Sequence, residues 1–164
     1  MDGEPRLSVD GHASEFKFST SALRTFLKGV LAQVHPDMGL PLSDNFVASF
    51  NCMLSKLIGK VVREISGAAG ADDAFERAVD VAVSGELSKH ANTQVKKALE
   101  QWVKTGGVGE DYSVDAHKEL GALGLTDADT VRLVGLCDYT IAEHLELAGN
   151  AQRDDKYRSA VRHA

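Results

Sequence analysis

The sequence predicts an all-α protein in which two units of short, long and short helices share one chain of 164 residues. Hydrophobic residues recur every three to four positions along two long stretches, and glycine, proline and helix-capping residues separate the stretches. A helix over the first stretch is about 35 Å long, so we expect other helices to pack on both of its sides. Its hydrophobic residues are Phe46, Val47, Phe50, Met53, Leu54, Leu57, Ile58, Val61, Val62 and Ile65.

The first unit begins after a tail. Residues 1–18 are polar with scattered charge, which is typical of a tail. Ser19 can cap a helix, and hydrophobic residues at helical spacing follow it for four turns. The segment 35–41 contains two prolines and a glycine, so it ends that short helix. The long helix comes next, and Ser43 or Asp44 can cap its first turn.

Two more helices complete the first unit. Gly67 predicts the end of the long helix, because glycine readily takes the left-handed conformation that follows a helix. Asp72 or Asp73 is expected to cap a short helix over residues 74–83. Hydrophobic residues at helical spacing then predict a further helix over residues 87–103.

The second unit repeats this order after a glycine-rich linker. Three glycines at positions 106–109 predict the linker. A short helix over 114–123 and a long amphipathic helix over 129–148 follow, and Gly149 with Asn150 predicts the end of the long helix. The recurrence lies in the pattern of elements and not in the residues themselves. The predicted division is a tail at 1–18, a first unit at 19–103, a linker at 104–113 and a second unit at 114–164.

The charge of the chain is acidic and uneven. The formal net charge is −6, and residues 106–164 carry 6 basic and 11 acidic side chains against 12 and 13 in residues 1–105. Taken alone, this balance argues against nucleic acid as a partner. Residues 1–5 lack the basic and hydrophobic regions of a signal peptide, and no run of eighteen hydrophobic residues occurs, so we expect a soluble intracellular protein.

Residue types used in catalysis and metal binding do not form recognisable sets. Cys52 and Cys137 each lie within a helical pattern, which predicts two reduced and buried cysteines. The six histidines do not fall at metal-ligand spacing, so we expect no metal and no cofactor. The segment His35-Pro36-Asp37 has no accompanying nucleophile, and we expect a protein that is not an enzyme.

Three segments resemble core histones. Residues 30–39 (VLAQVHPDMG) resemble the first helix and loop of histone 2B, and residues 83–91 (VSGELSKHA) resemble the step from its third helix into its C-terminal helix. Residues 138–154 (DYTIAEHLELAGNAQRD) are similar to histone 2A over a long and specific match. With histone 2B first and histone 2A second, the order is similar to the fused histone doublets of giant DNA viruses of the marseillevirus kind.

The resemblance implies a fold, a function and partners. It implies two histone folds paired in a handshake, in which each long helix crosses the other and the linker keeps the two at a high effective concentration. It implies an architectural protein that packages viral DNA without reading its sequence, together with a histone 4–histone 3 type doublet or dimers. It implies location in the virion and in the viral factory or nucleus of the host cell.

The resemblance also implies residues that contact DNA, through phosphate contacts and an arginine in the minor groove. The family carries basic residues in the loop after the long helix, but residues 67–73 contain no Lys or Arg. The segment 114–120 is close to neutral where the family has several arginines. For Lys17, Arg24 and Lys28, an ordinary solvated helix face remains an equal alternative. The expected DNA-binding residues are Arg6, Lys17, Arg24, Lys28, Pro41, Leu42, Ser43, Arg153, Lys156, Arg158 and Arg162.

A second implied site is an acidic patch that docks basic peptides. The alternative for its residues is a set of ordinary solvated carboxylates on helix surfaces. In the family, a third helix of histone 2A begins near the position of Arg162, so we expect a shortened 2A unit. The acidic second half leaves an alternative function open, an acidic histone-fold module or chaperone that binds other histones without DNA. The expected acidic-patch residues are Glu86, His90, Asp138, Glu143 and Glu146.

Overall fold

A computed structural model describes residues 16–37, 39, 41–68, 73–107 and 110–162, without the side chains of 152, 153 and 155–162. The described residues form α helices and one short 3-10 helix with no β strand among them, which confirms the all-α class. No helix in this part of the chain combines the length and the hydrophobicity that crossing a membrane requires. The elements are α1 (Thr20–Val34), α2 (Asp44–Gly67), α3 (Ala74–Ala82), α4 (Glu86–Thr105), the 3-10 helix (Asp111–Ser113), α5 (Val114–Gly121) and α6 (Asp127–Arg162).

Serine side chains cap the first two helices as the sequence predicts. The hydroxyl oxygen of Ser19 accepts a hydrogen bond from the backbone N–H of Ala22, and that of Ser43 accepts one from Phe46, both at 3.2 Å. Each bond satisfies a backbone donor that the first turn of a helix leaves free. Asp73 occupies the N-cap position of α3, but its carboxylate makes no capping bond and instead pairs with the guanidinium of Arg77 at 3.1 Å. Asp72, the other predicted cap, lies outside the described residues.

The first long helix ends at Gly67 as predicted but without the expected left-handed conformation, and the predicted end of the second long helix is wrong. Gly67 is the last residue of α2 and does not have a left-handed conformation, and α2 closes with a bond from Ala68 N–H to the carbonyl of Ile65. Helix α6 continues through Gly149 and Asn150. A Cβ atom at position 149 would lie 2.2 Å from Nε2 of His35, so this glycine permits a close contact between α6 and the end of α1.

One hydrophobic core joins the two halves of the chain. Helix α6 packs on α1, α4 and α5, while α2 packs on α3. Helices α2 and α6 also meet, where the rings of Phe50 and His144 lie 6.1 Å apart between centroids. The core is therefore closed only when both halves are present. Its largest fully buried side chains are Leu23, Phe26, Leu27, Leu54, Ile58, Leu120, Leu133, Leu136, Ile141 and Leu145.

Two glycines set the spacing of the helices around α6. A Cβ atom at Gly135 would lie 2.8 Å from the Cβ atom of Ala98, so α4 and α6 approach closely there. A Cβ atom at Gly29 would lie 2.1 Å from the ring of Tyr112, so the ring lies directly on the backbone of α1. The 3-10 helix that carries Tyr112 belongs to the predicted linker, and this contact fixes the end of the linker to α1.

Residues at the edges of the predicted elements differ from expectation. Phe18, which the sequence assigns to the tail, is buried, and its backbone N–H and carbonyl bond the side-chain amide of Asn51 on α2 at 3.0 and 2.7 Å. Cys52 is exposed, so the prediction of two buried cysteines holds only for Cys137. Leu87, in the first turn of α4, is also exposed.

Candidate functional site

A groove with a volume of about 710 Å³ lies between α4 and α6, and we call it the acidic groove. The 3-10 helix and the C-terminal part of α1 border it through Tyr112 and Gln33. Four carboxylates and one ammonium group line the groove, so its electrostatic potential is negative. The charged lining residues and the one histidine are His90 and Lys97 on α4, Glu110 just before the 3-10 helix, and Asp138, Glu143 and Glu146 on α6.

Asp138 lies half-buried at the Tyr112 end of this groove. The hydroxyl oxygen of Tyr112 lies 3.2 Å from Oδ2 of Asp138 and 3.2 Å from Oε1 of Gln33. Its single proton favours the carboxylate, because a charged acceptor makes the stronger bond. Burial raises the pKa of Asp138 above its usual value, the bond from Tyr112 opposes that shift, and the charge of Glu110 adds to it. The bond from Tyr112 therefore fixes the orientation of the Asp138 side chain, and burial makes its ionisation less favourable.

Glu143 is oriented by a neighbour on the same helix. The hydroxyl of Tyr139 donates a hydrogen bond to Oε1 of Glu143 at 3.1 Å, across one turn of α6. Burial, together with this bond and the charge of Glu143, raises the pKa of Tyr139 to about 12. The hydroxyl therefore keeps its proton and remains a donor at neutral pH. Glu146 lies on the same face of α6, one turn further along, and is exposed.

Four of the five expected acidic-patch residues come together, and one does not. His90, Asp138, Glu143 and Glu146 all line the groove. Glu86 is absent from the lining, because it lies exposed in the first turn of α4 and pairs with Lys89 at 3.3 Å. The position of His90, one turn beyond Glu86 on α4, places an imidazole on the wall opposite the carboxylates of α6.

The structure adds groove residues that the sequence reasoning did not identify. Tyr112 and Gln33 come from segments far from α6 in the chain, and no local spacing relates them to Asp138. Gln94 and Lys97 follow His90 on the groove side of α4. Helical spacing from His90 could have identified them, since residues three, four and seven positions apart share a face.

A second surface gathers three of the expected DNA-binding residues, and we call it the basic cleft. It has a volume of about 360 Å³ and lies where α1 meets the loop before α2. Arg24 and Lys28 are one turn apart on α1, and Leu42 lies opposite them. Leu31, Ala32, His35 and Pro36 complete the lining.

Arg24 is the more constrained of the two cations of the cleft. Its guanidinium makes an ion pair with Asp44, and its Nε donates a hydrogen bond to the carbonyl of Leu42 at 3.4 Å. These contacts hold the loop at 41–43 against α1. Lys28 is exposed and makes no ion pair within the described part of the chain. Pro41 and Ser43 are exposed beside the cleft, with the Ser43 side chain engaged in capping α2.

The remaining expected DNA-binding residues are not joined to the basic cleft. Lys17 is exposed just before α1. Arg6 lies outside the described residues. In α6 the backbone of the C-terminal basic cluster is helical, but its side chains lie outside the described part. The members of that cluster are Arg153, Lys156, Arg158 and Arg162.

Among the described residues, no three His, Cys, Asp or Glu side chains lie close enough to hold a metal ion. The acidic groove instead offers oriented carboxylate acceptors to a cationic side chain such as that of arginine. No known protein-family profile and no curated protein sequence matches this chain. The likeness to histones 2B and 2A therefore rests on the quoted residue segments.

Proposed function

We propose that this protein is an architectural DNA-packaging protein, in which a histone fold of the 2B type and one of the 2A type pair within one chain. The observation that carries the proposal is the single core to which both halves contribute. Helix α6 packs on α1 and α4 and meets α2 at Phe50 and His144. In a histone pair the long helices cross one another, and the contact between α2 and α6 supports this arrangement.

The basic cleft supports DNA as the partner. Lys28 makes no ion pair among the described residues, and the exposed residues Pro41 and Ser43 lie beside the cleft. Contacts of this kind bind phosphates and carry no sequence information. Because the net charge is −6, we expect weak binding that falls steeply as the salt concentration rises. In this proposal, a partner of the histone 4–histone 3 type supplies further cations that strengthen DNA binding.

The test is nuclease digestion of DNA mixed with the full chain, with and without a histone 4–histone 3 type doublet, at two salt concentrations. We expect a discrete protected length that requires the doublet and shortens at the higher salt concentration. The double variant Arg24→Gln/Lys28→Gln should lose protection. The control Lys89→Gln/Lys104→Gln removes the same charge from exposed positions on α4 and should retain it.

The acidic groove favours a second function, a histone-binding module or chaperone that does not touch DNA. Asp138 and Glu143 are oriented by tyrosine hydroxyls before any ligand arrives, which lowers the entropic cost of binding a basic peptide. Under this function, the chain binds the histone 4–histone 3 type partner and protects no DNA in either mixture. Digestion of the DNA to short fragments with retained protein binding would exclude DNA packaging by this chain.

A further inference from the structure

The exposed face of α2 carries a row of three cations, Lys56, Lys60 and Arg63, which we call the α2 stripe. They are four and three residues apart, so they lie within about 60° of one another around the helix axis. All three side chains are exposed. They are also the only Lys and Arg residues of α2.

The three cations of the stripe share one helix face and lack ion-pair partners among the described residues, a lack that they have in common with single cations such as Lys28 and Lys104. Five cations of the described residues are paired with carboxylates, whereas none of the three in the stripe makes an ion pair there. Glu64, the acidic residue nearest in sequence, lies about 100° around the axis from Arg63 and about 40° from Lys60, and it makes no ion pair with either among the described residues. The positive charge of the stripe therefore remains available to an external anion. The paired cations are Arg24, Arg77, Lys89, Lys96 and Arg132.

We propose that the α2 stripe is a second phosphate-binding surface, which contacts the backbone of duplex DNA through Lys56, Lys60 and Arg63. The stripe extends about 10 Å along the helix, which matches the axial length of roughly three successive phosphates of one strand. It begins about 18 Å along α2 from the loop that borders the basic cleft. This assignment rests on the proposed DNA-packaging function and extends it to a face far from the cleft.

The composition of this face favours DNA over an acidic protein. Protein interfaces depend on hydrophobic or aromatic anchors at their centre. The exposed large hydrophobic residues of the described chain all lie outside α2, so this face supplies no anchor of that kind. Contacts with phosphates need none. Towards the start of α2 the exposed face continues with Asn45, Ser49 and Cys52, and the carboxylate at the edge of the stripe is Glu64, one turn after Lys60.

The first test measures how the affinity of the full chain for a short duplex of mixed sequence depends on salt. Each phosphate contact contributes about 0.9 to the slope of log K against log salt. The triple variant Lys56→Gln/Lys60→Gln/Arg63→Gln should therefore have a slope that is shallower by roughly 2 to 3. The control Lys89→Gln/Lys104→Gln/Lys118→Gln loses the same charge from exposed positions and should keep the parent slope.

The second test uses Cys52, which is exposed one turn before Lys56 on the same side of α2. The other cysteine, Cys137, is fully buried, and burial with the charge of Asp138 raises its thiol pKa to about 12. A photoreactive group can therefore be attached at Cys52 alone. With the duplex present, we expect crosslinks to DNA, which disappear in the triple variant of the stripe.

The outcomes separate this inference from the proposed function. If the Arg24→Gln/Lys28→Gln variant loses DNA binding while the stripe variant keeps both its slope and its crosslinks, the stripe assignment is overturned and DNA packaging stands. If Cys52 crosslinks only to a partner protein in the full mixture, the stripe is a protein interface. If the parent chain binds no duplex in any mixture, DNA packaging fails, and the assignment of the stripe fails with it.

Discussion

The acidic groove and the basic cleft both use the C-terminal half of α1, yet they hold their charges differently. Gln33 borders the groove, and Leu31 with His35 lines the cleft. In the groove, tyrosine hydroxyls orient half-buried carboxylates, and burial raises the pKa of Asp138. In the cleft, the cations are exposed or paired on the surface, where water and salt screen them. Binding at the groove should therefore depend on pH and orientation, while binding at the cleft should depend on salt.

The largest effect is expected where the groove is joined to α1. In Gly29→Ala, the new Cβ atom would lie within 2.4 Å of three carbon atoms of Tyr112, so the 3-10 helix must move and Asp138 loses its donor. Overpacking of this kind costs about 1–3 kcal/mol of unfolding free energy. Chemical denaturation measures it. Gly67→Ala, at a helical glycine with open space around it, is the matched control, and an equal loss there would refute the argument.

Removal of the groove carboxylates tests whether the acidic groove binds cations. Glu143→Gln/Glu146→Gln should weaken the binding of an arginine-rich peptide by about tenfold or more, or about 1.4 kcal/mol, because two charged acceptors are lost. Titration calorimetry gives the affinities. The control Glu64→Gln/Glu100→Gln makes the same charge change at exposed positions outside the groove. If both variants weakened peptide binding equally, the affinity would depend on the net charge of the protein and not on the groove.

The pH dependence sharpens the contrast between buried and exposed charge. Because burial raises the pKa of Asp138, the folded state holds its proton more tightly than the unfolded chain. Ionisation therefore costs stability above the folded pKa, and the cost disappears as the pH falls below the usual value of 3.8. Asp138→Asn should be more stable than the parent at neutral pH, with a difference that shrinks on acidification. Unfolding curves across pH measure this, and Asp115→Asn on α5 controls for loss of one charge.

The smallest effect is expected at the ion pair of the cleft. Asp44 is exposed, so Asp44→Asn should change the unfolding free energy by less than about 1 kcal/mol. The same change frees the guanidinium of Arg24 and should raise the affinity for duplex DNA at low salt. Fluorescence anisotropy measures this rise, and the parent and the variant should converge as salt increases. A lower affinity in the variant would mean that Arg24 needs Asp44 to hold a binding conformation.

The sequence predicts those features that local spacing determines. The serine-capped starts of α1 and α2 are confirmed, and helical spacing accounts for the common groove of Asp138, Glu143 and Glu146 on α6. The end of α6 was not predictable, because Gly149 reads as a stop signal when it in fact accommodates the ring of His35. Cys52 lies at the border of the hydrophobic stripe of α2, where spacing alone does not decide between burial and exposure.

The contact of Tyr112 that orients Asp138 in the groove could not be predicted from the sequence. Tyr112 follows a glycine-rich segment and carries no pattern that relates it to Asp138, which lies 26 positions later. Only the close approach of the 3-10 helix to Gly29 brings the hydroxyl to the carboxylate. Contacts of this kind depend on the packing of segments that are distant in the chain, which local propensity and periodicity do not encode.

The contact between Ser19 and Glu119 has a consequence for synthesis of the chain. The carboxylate of Glu119 on α5 accepts hydrogen bonds from the backbone N–H and the hydroxyl of Ser19 at 2.7 and 2.6 Å, across 100 positions of sequence. At ribosomal rates, those positions take roughly 5 to 20 seconds to add. During that time, α1 has emerged without α5 and without the surface of α6 that covers it. The nascent first half therefore carries an exposed hydrophobic face that only the completed chain, or a chaperone, can shield.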